Sequence, residues 1–143
     1  MKTIILAGGW GSRLGAITEK VPKPMIPIGG KPLLWHIMNI YSSYGFNDFI
    51  IALGVKGEVI KEYFYNFENI NNDFTVELSN GTIVYHTKNS NLNWNVTLVD
   101  TGLNTLKGGR IKRLENHLID DINMVTYGDG VADIDIKELI EFH

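Results

Sequence analysis

Residues 1–25 read MKTIILAGGWGSRLGAITEKVPKPM and combine an apolar run, a glycine-rich turn, an arginine and a lysine between prolines. The apolar run over residues 2–7 stops at glycines, which predicts a buried strand of a parallel sheet. Glycines after such a strand let backbone N–H groups approach anionic oxygens closely. Arg13 would add a planar fork for phosphate oxygens, and Lys23 a compact positive charge. The stretch therefore predicts a triphosphate site.

Two better-known phosphate-binding motifs do not fit this stretch. A P-loop needs Ser or Thr after its Gly-Lys pair, but Pro32 follows Gly30-Lys31. The dinucleotide motif needs a third glycine where Leu14 stands, and the proline-rich segment after it is no crossover helix. A tight turn with two solvated cations is the simplest alternative that the residues alone leave open.

The remainder of the chain alternates helical and strand patterns, which predicts an α/β fold with a mostly parallel sheet. A hairpin insertion is expected over residues 74–87, with a two-residue turn at Asn80-Gly81. The other predicted strands are residues 49–53, 96–99 and 124–127, and the predicted helices are residues 32–44, 59–67, 110–118 and 134–143.

Composition restricts the class of protein. The chain has 143 residues, 44% of them hydrophobic, which suits one domain with a real core. A formal charge of −3 provides no basic surface for nucleic acid, and the absence of cysteine excludes disulfides and thiolate metal sites. No apolar run approaches the roughly 20 residues that span a bilayer. We expect a cytoplasmic protein that associates with neither nucleic acid nor membrane.

Two further glycine-bearing segments follow predicted strands. Asp129 lies between glycines after residues 124–127, at the edge of a parallel sheet where ligands bind. A carboxylate there suits Mg²⁺, which takes one or two carboxylates together with water and phosphate oxygens. Gly108-Gly109 would let a flat base approach the backbone closely. An ordinary turn at each place is the alternative.

Two sets of motifs carry a family resemblance. LAGGWGSRL, KPKPM and IGGKPLLWHI resemble the NDP-sugar pyrophosphorylases, and WNVTLVDTG, GGRIKR and TYGDGVADIDI resemble the glucose-1-phosphate cytidylyltransferases among them. The resemblance implies a Rossmann-like three-layer αβα nucleotidyltransferase fold. It also implies that residues 1–143 are the nucleotide-binding N-terminal part of a truncated domain whose C-terminal sugar-binding part is absent. The helical pattern that is unfinished at residue 143 agrees with truncation.

The resemblance further implies the reaction of CTP with α-D-glucose 1-phosphate, giving CDP-glucose and pyrophosphate for bacterial surface polysaccharides, with Mg²⁺ as cofactor. It assigns catalysis to Arg13, Lys23 and Asp129, and the metal to Asp129. We expect residues 1–143 alone to be inactive and the full-length form to be a homo-oligomer. An enzyme that uses dTTP or UTP, a non-catalytic nucleotide-binding module and a dinucleotide-dependent enzyme are the alternatives. The implied nucleotide-binding residues are Leu6, Ala7, Gly8, Gly9, Trp10, Gly11, Ser12, Arg13, Lys23, Asn104, Gly109 and Gly128.

Overall fold

The computed structural model describes residues 1–10, 20–86, 92–118 and 122–143 of the chain. Its helices and strands follow the predicted alternation, with short 3₁₀ turns at Lys23–Met25 and Glu115–His117. In chain order the elements are β1 (Thr3–Leu6), β2 (Pro27–Ile28), β3 (Lys31–Pro32), α1 (Leu33–Ser43), β4 (Asp48–Leu53), α2 (Gly57–Tyr65), α3 (Phe67–Asn71), β5 (Phe74–Glu77), β6 (Thr82–Tyr85), β7 (Asn95–Asp100), α4 (Lys107–Lys112), β8 (Met124–Tyr127) and α5 (Ile136–Phe142).

The main sheet has four strands in the order β7-β4-β1-β8, and every neighbouring pair is parallel. β1 lies inside the sheet, with Leu6 in register with Ala52 of β4 and with Tyr127 of β8. The α/β fold with a mostly parallel sheet is thereby confirmed. Because all four strands run the same way, the segments that leave them emerge at one edge, where ligands bind in such sheets.

The core explains why most residues of β1 and β4 are apolar. Alternate side chains of a strand point to opposite faces of a sheet, and both faces are covered here. One face contributes Ile5, Phe49 and Ile51 to a cluster with α1 and α2. On the other face, Ile4 and Ile50 pack with Leu114 from the segment after α4. Two covered faces give the three-layer arrangement that the family resemblance implies.

The helix expected over residues 59–67 is wrong as one continuous element, because it breaks between α2 and α3 at Asn66. Both the backbone N–H and the side-chain amide of Asn66 donate to the Glu62 carbonyl, at 3.0 and 3.1 Å. A side chain that bonds the neighbouring backbone in this way competes with regular helix propagation.

None of the described helices has the length and apolar content needed to cross a bilayer.

The hairpin of β5 and β6 forms its own two-stranded antiparallel sheet. The expected two-residue turn is wrong: Glu77 pairs with Thr82, so four residues form the connection. The Glu77 carboxylate stabilises the wider loop by accepting from Ser79 Oγ at 3.0 Å and Asn80 Nδ2 at 2.9 Å. Gly81 closes it with φ +76°, a conformation that glycine adopts without a steric penalty.

We predict that Phe49→Ala destabilises the fold, because Phe49 is fully buried against Trp94 with ring centroids 5.8 Å apart. Its loss should lower the free energy of unfolding by about 3–5 kcal/mol, measured by urea denaturation. Leu78→Ala is the matched control: Leu78 is 89% exposed, so its loss should change that free energy by less than about 0.5 kcal/mol. Equal losses in the two variants would contradict this account of the core.

Candidate functional site

A cavity of about 700 Å³ lies at the carboxyl edge of the sheet, where the segments after β1, β7 and β8 meet. It brings together eight of the residues that the sequence assigns to nucleotide, catalysis or metal. Those eight are Leu6, Ala7, Gly8, Gly9, Trp10, Lys23, Asn104 and Asp129, and the remaining lining residues are Pro24, Leu103, Thr105, Leu106, Lys107, Arg110 and Tyr127.

Lys23 and Asp129 form an ion pair in this cavity although they lie far apart in sequence. Lys23 Nζ donates to Asp129 Oδ2 at 2.9 Å. Lys23 begins a 3₁₀ turn that buries Pro24, and Asp129 lies in the turn directly after β8. The two side chains keep 35% and 42% of their surface exposed, and exposed ion pairs contribute little to folding stability. Their charges are therefore accessible to a bound anion and a cation.

Gly128 and Gly109 stand apart from the other assigned residues, since neither is among the described residues that line the cavity. Gly128 is buried, and a Cβ there would lie 3.1 Å from the Leu6 carbonyl oxygen and 3.2 Å from Pro24 Cγ. Its role in the structure is to let the end of β8 approach β1. Gly109 is exposed within α4 and leaves room for Thr105, whose Cγ2 would lie 2.9 Å from an added Cβ.

The glycine loop after β1 has an inner and an outer residue. Gly9 is exposed, and an added Cβ would meet nothing within 4 Å. Gly8 is buried, and its Cβ would lie 2.3 Å from Arg110 Nη1. Gly8 therefore makes room for a guanidinium group, a reason for glycine that the sequence alone does not reveal. Gly11, Ser12 and Arg13 lie outside the described residues.

Arg110 is the residue that the sequence reasoning missed. The sequence indicates only that Arg110 begins the helix expected over residues 110–118. In the structure, only 6% of its surface is exposed. The available signal is sequence spacing: in the helix expected over residues 110–118, Arg110 and the apolar Leu114 are four residues apart and would share one face. Burial lowers the pKa of Arg110, the Arg113 charge lowers it further and the Asp100 charge opposes both. An arginine guanidinium is not deprotonated in proteins, so the group stays charged.

The carboxylates at the cavity determine whether it could hold Mg²⁺. Among the described residues, no three His, Asp or Glu side chains gather into a metal cluster. Among the described residues of the cavity lining, Asp129 alone contributes a carboxylate. Mg²⁺ keeps several waters and binds through one or two carboxylates plus substrate phosphates. One accessible carboxylate beside the glycine loop fits an ion held largely by a nucleotide.

Comparisons with known proteins identify the family and support the fold. The family model described as "Nucleotidyl transferase" matches residues 2–143. Glucose-1-phosphate cytidylyltransferase of Salmonella typhimurium is 53% identical over all of this chain and 56% of its own length. The crystal structure of HddC from Yersinia pseudotuberculosis has a TM-score of 0.69 at 26% identity, over 99% of this chain and 53% of that one. A UDP-glucose pyrophosphorylase complexed with UDP-glucose shares the fold, with a TM-score of 0.69 at 22% identity over 99% of this chain and 52% of its own. The chain thus spans about half the length of the curated relatives it matches.

We predict that Gly8→Ala and Gly9→Ala differ sharply in stability. The new methyl group at position 8 must displace the buried guanidinium, so the free energy of unfolding should fall by about 1–3 kcal/mol. The methyl group at position 9 has open space, so the change there should stay below about 0.5 kcal/mol. Urea denaturation of the two variants measures the difference, and similar values would contradict the placement of Arg110 under Gly8.

Proposed function

The chain belongs to the nucleotidyl transferase family, and from this premise we propose that its protein transfers a cytidylyl group from CTP to α-D-glucose 1-phosphate. The proposal is supported chiefly by one observation. The glycine loop, the Lys23–Asp129 pair and the loop after β7 all line one cavity at the carboxyl edge of a parallel sheet. A nucleoside triphosphate needs such a combination, because it carries several negative charges and a flat base.

Each part of the cavity has a task in this proposal. Backbone N–H groups of the Gly8-Gly9 loop would bind phosphate oxygens, as such loops do in other nucleotide sites. Lys23 would release Asp129 and neutralise the triphosphate, while Arg13 would add a bidentate contact. Asn104 would meet the base or ribose from the loop after β7. Gly109 and Gly128 would shape the nucleotide pocket by leaving room for Thr105 and for the end of β1.

The proposed chemistry is a displacement at the α-phosphorus of CTP. A phosphate oxygen of glucose 1-phosphate forms the new P–O bond, and the bond to the bridging oxygen of pyrophosphate breaks with its electron pair. The nucleophile is already an anion, so no general base is required. The residues need only orient the two substrates and neutralise the charge on the leaving pyrophosphate.

Mg²⁺ would be held by Asp129 together with the phosphate oxygens of the nucleotide. When bound, it supplies positive charge that offsets the charge of the phosphates. Residues 1–143 would act as the nucleotide-binding part of the enzyme and would be inactive alone. Both proposed substrates are phosphorylated metabolites of the cytoplasm, so the reaction would take place there and supply CDP-glucose to surface polysaccharides. A homo-oligomeric full-length form stays a prediction.

We predict that Lys23→Met and Asp129→Asn each lower the turnover of the full-length protein by about 10²–10³-fold, because each removes a charge that acts on the phosphates. Formation of CDP-glucose and pyrophosphate is measured under saturating CTP. Lys112→Met and Glu115→Gln are matched controls, since they break an exposed lysine–carboxylate pair outside the cavity lining. Near-wild-type turnover of either cavity variant would contradict its assigned role.

The choice of nucleotide separates this proposal from its alternatives. We expect CTP to support pyrophosphate release with glucose 1-phosphate at least about tenfold better than dTTP or UTP, as kcat/KM, because base-edge hydrogen bonds discriminate strongly. Preference for dTTP or UTP would indicate another sugar-1-phosphate nucleotidyltransferase. Binding of CTP with no pyrophosphate release from any of these nucleotides would indicate a non-catalytic nucleotide-binding module.

A further inference from the structure

Lys107 and Tyr127 form a cation–π contact that joins two distant segments of the cavity. The Nζ atom of Lys107 lies 4.8 Å from the centre of the Tyr127 ring. Lys107 begins α4, which follows β7, whereas Tyr127 is the last residue of β8. Because β4 and β1 separate these two strands in the sheet, the contact crosses the carboxyl ends of both. Both residues line the cavity, and neither is among those that the sequence assigns to a substrate.

Lys107 differs from Lys23 and Arg110, the other two cations in the described lining of the cavity, because groups of the protein satisfy both of those. Lys23 is paired with Asp129 at 2.9 Å. No carboxylate of the described segments lies within ion-pair distance of Lys107, whose ammonium group contacts the ring face instead. Arg110 is buried and donates to five acceptors that follow or end β1, β4 and β7, namely Leu53 O, Thr101 Oγ1, Gly102 O, Gly8 O and Leu103 O.

The Tyr127 ring holds the ammonium group of Lys107 close to the proposed phosphate site. Tyr127 is in register with Leu6, at the end of β1 from which the glycine loop leaves. Asp129 follows Tyr127 by two positions and carries the ion pair with Lys23. All of these residues line one cavity. An ammonium group on this ring therefore lies beside the part of the cavity to which a bound substrate would bring its phosphates.

The contact with the ring can place Lys107 and can also be exchanged. Tyr127 keeps 51% of its surface exposed, and Lys107 is exposed as well. A cation over an aromatic ring gains little at an exposed site, whereas an ammonium group and a phosphate oxygen form a charge-assisted hydrogen bond. Because the aliphatic stem of lysine is flexible, the ammonium group can leave the ring while the backbone stays in place. A phosphate group that enters the cavity should therefore replace the ring as the partner of Lys107.

We propose that Lys107 is a further phosphate-binding residue of this cavity: it lies on the Tyr127 ring in the empty protein and moves to a phosphate oxygen when a substrate binds. This deepens the proposed function and rests on it, because CTP and glucose 1-phosphate both carry phosphate. The ring and the phosphate then compete for one ammonium group. Loss of the lysine and loss of the ring must therefore have opposite effects on phosphate affinity.

The test compares Lys107→Met, Tyr127→Leu and the variant with both changes in the full-length protein. Calorimetry with Mg²⁺ present measures the affinity for inorganic triphosphate, which has no base and so reports the phosphate contact alone. Steady-state kinetics under saturating CTP measure the KM for glucose 1-phosphate. Lys112→Met is the matched control, because it removes the same charge from the same helix, and Lys112 pairs with Glu115 outside the cavity lining.

We expect Lys107→Met to weaken inorganic triphosphate by about tenfold, the effect of losing one charge-assisted hydrogen bond at an exposed site. Tyr127→Leu should strengthen it by about two- to fivefold, because an exposed cation–π contact no longer has to be broken. In the double variant the effect of leucine should vanish, since no ammonium group is left for the ring to hold. Lys107→Arg keeps the charge and should recover most of the affinity, and Lys112→Met should stay close to the wild type.

The same measurements identify which substrate supplies the phosphate. A changed affinity for inorganic triphosphate with an unchanged KM for glucose 1-phosphate assigns Lys107 to the nucleotide. The reverse result, with the KM raised about tenfold by Lys107→Met and lowered by Tyr127→Leu, assigns Lys107 to the sugar phosphate.

Either of two results would overturn the proposal. Weaker phosphate binding in both single variants would mean that the contact only holds the segments of β7 and β8 together. Values within about twofold of the wild type for both ligands in Lys107→Met would mean that this lysine is an ordinary solvated charge. Failure of the proposed function looks different, because wild-type protein would then release no pyrophosphate from CTP and glucose 1-phosphate, while the affinities for inorganic triphosphate would still report on Lys107.

Discussion

The pairing of β1 with β4 and β8 places the glycine loop where it can meet the other parts of the site. β1 lies inside the sheet with parallel neighbours on both sides, so the loop that follows Leu6 is surrounded by segments leaving other strands. Apolar side chains cover both faces of β1, which leaves its carboxyl end as the place where polar groups can gather. The positions of Lys23, Asp129 and Arg110 all depend on this one arrangement.

Much of the fold could be predicted from the sequence because the sheet is buried on both faces. A strand covered on both faces is a nearly continuous apolar run, and the runs over residues 2–7 and 49–53 predict β1 and β4. Lys23 and Asp129 are predicted to act together because each lies in a recognisable sequence pattern. Lys23 lies between two prolines, and Asp129 lies between two glycines at the end of a strand. The structure places their side chains 2.9 Å apart, and their joint role at phosphates and metal stays a prediction.

What the sequence could not give depends on contacts between distant segments. The hydrogen bonds of Asn66 to Glu62 compete with a helix that apolar spacing alone would continue. The reason for Gly8 lies in Arg110, more than a hundred positions later, and a glycine that makes room for a side chain looks the same in sequence as one that makes room for phosphate. Only the packing of three strand ends distinguishes the two.

The Lys23–Asp129 pair has a consequence for which ions the cavity accepts, if the proposed function holds. A magnesium ion that bound Asp129 without a nucleotide would leave Lys23 without its ion-pair partner. A phosphate that bound Lys23 without a metal would leave Asp129 without its partner. The metal–nucleotide complex offers a partner to each at once. Each charge therefore keeps a partner only when metal and nucleotide enter together, which favours their complex over either ion alone.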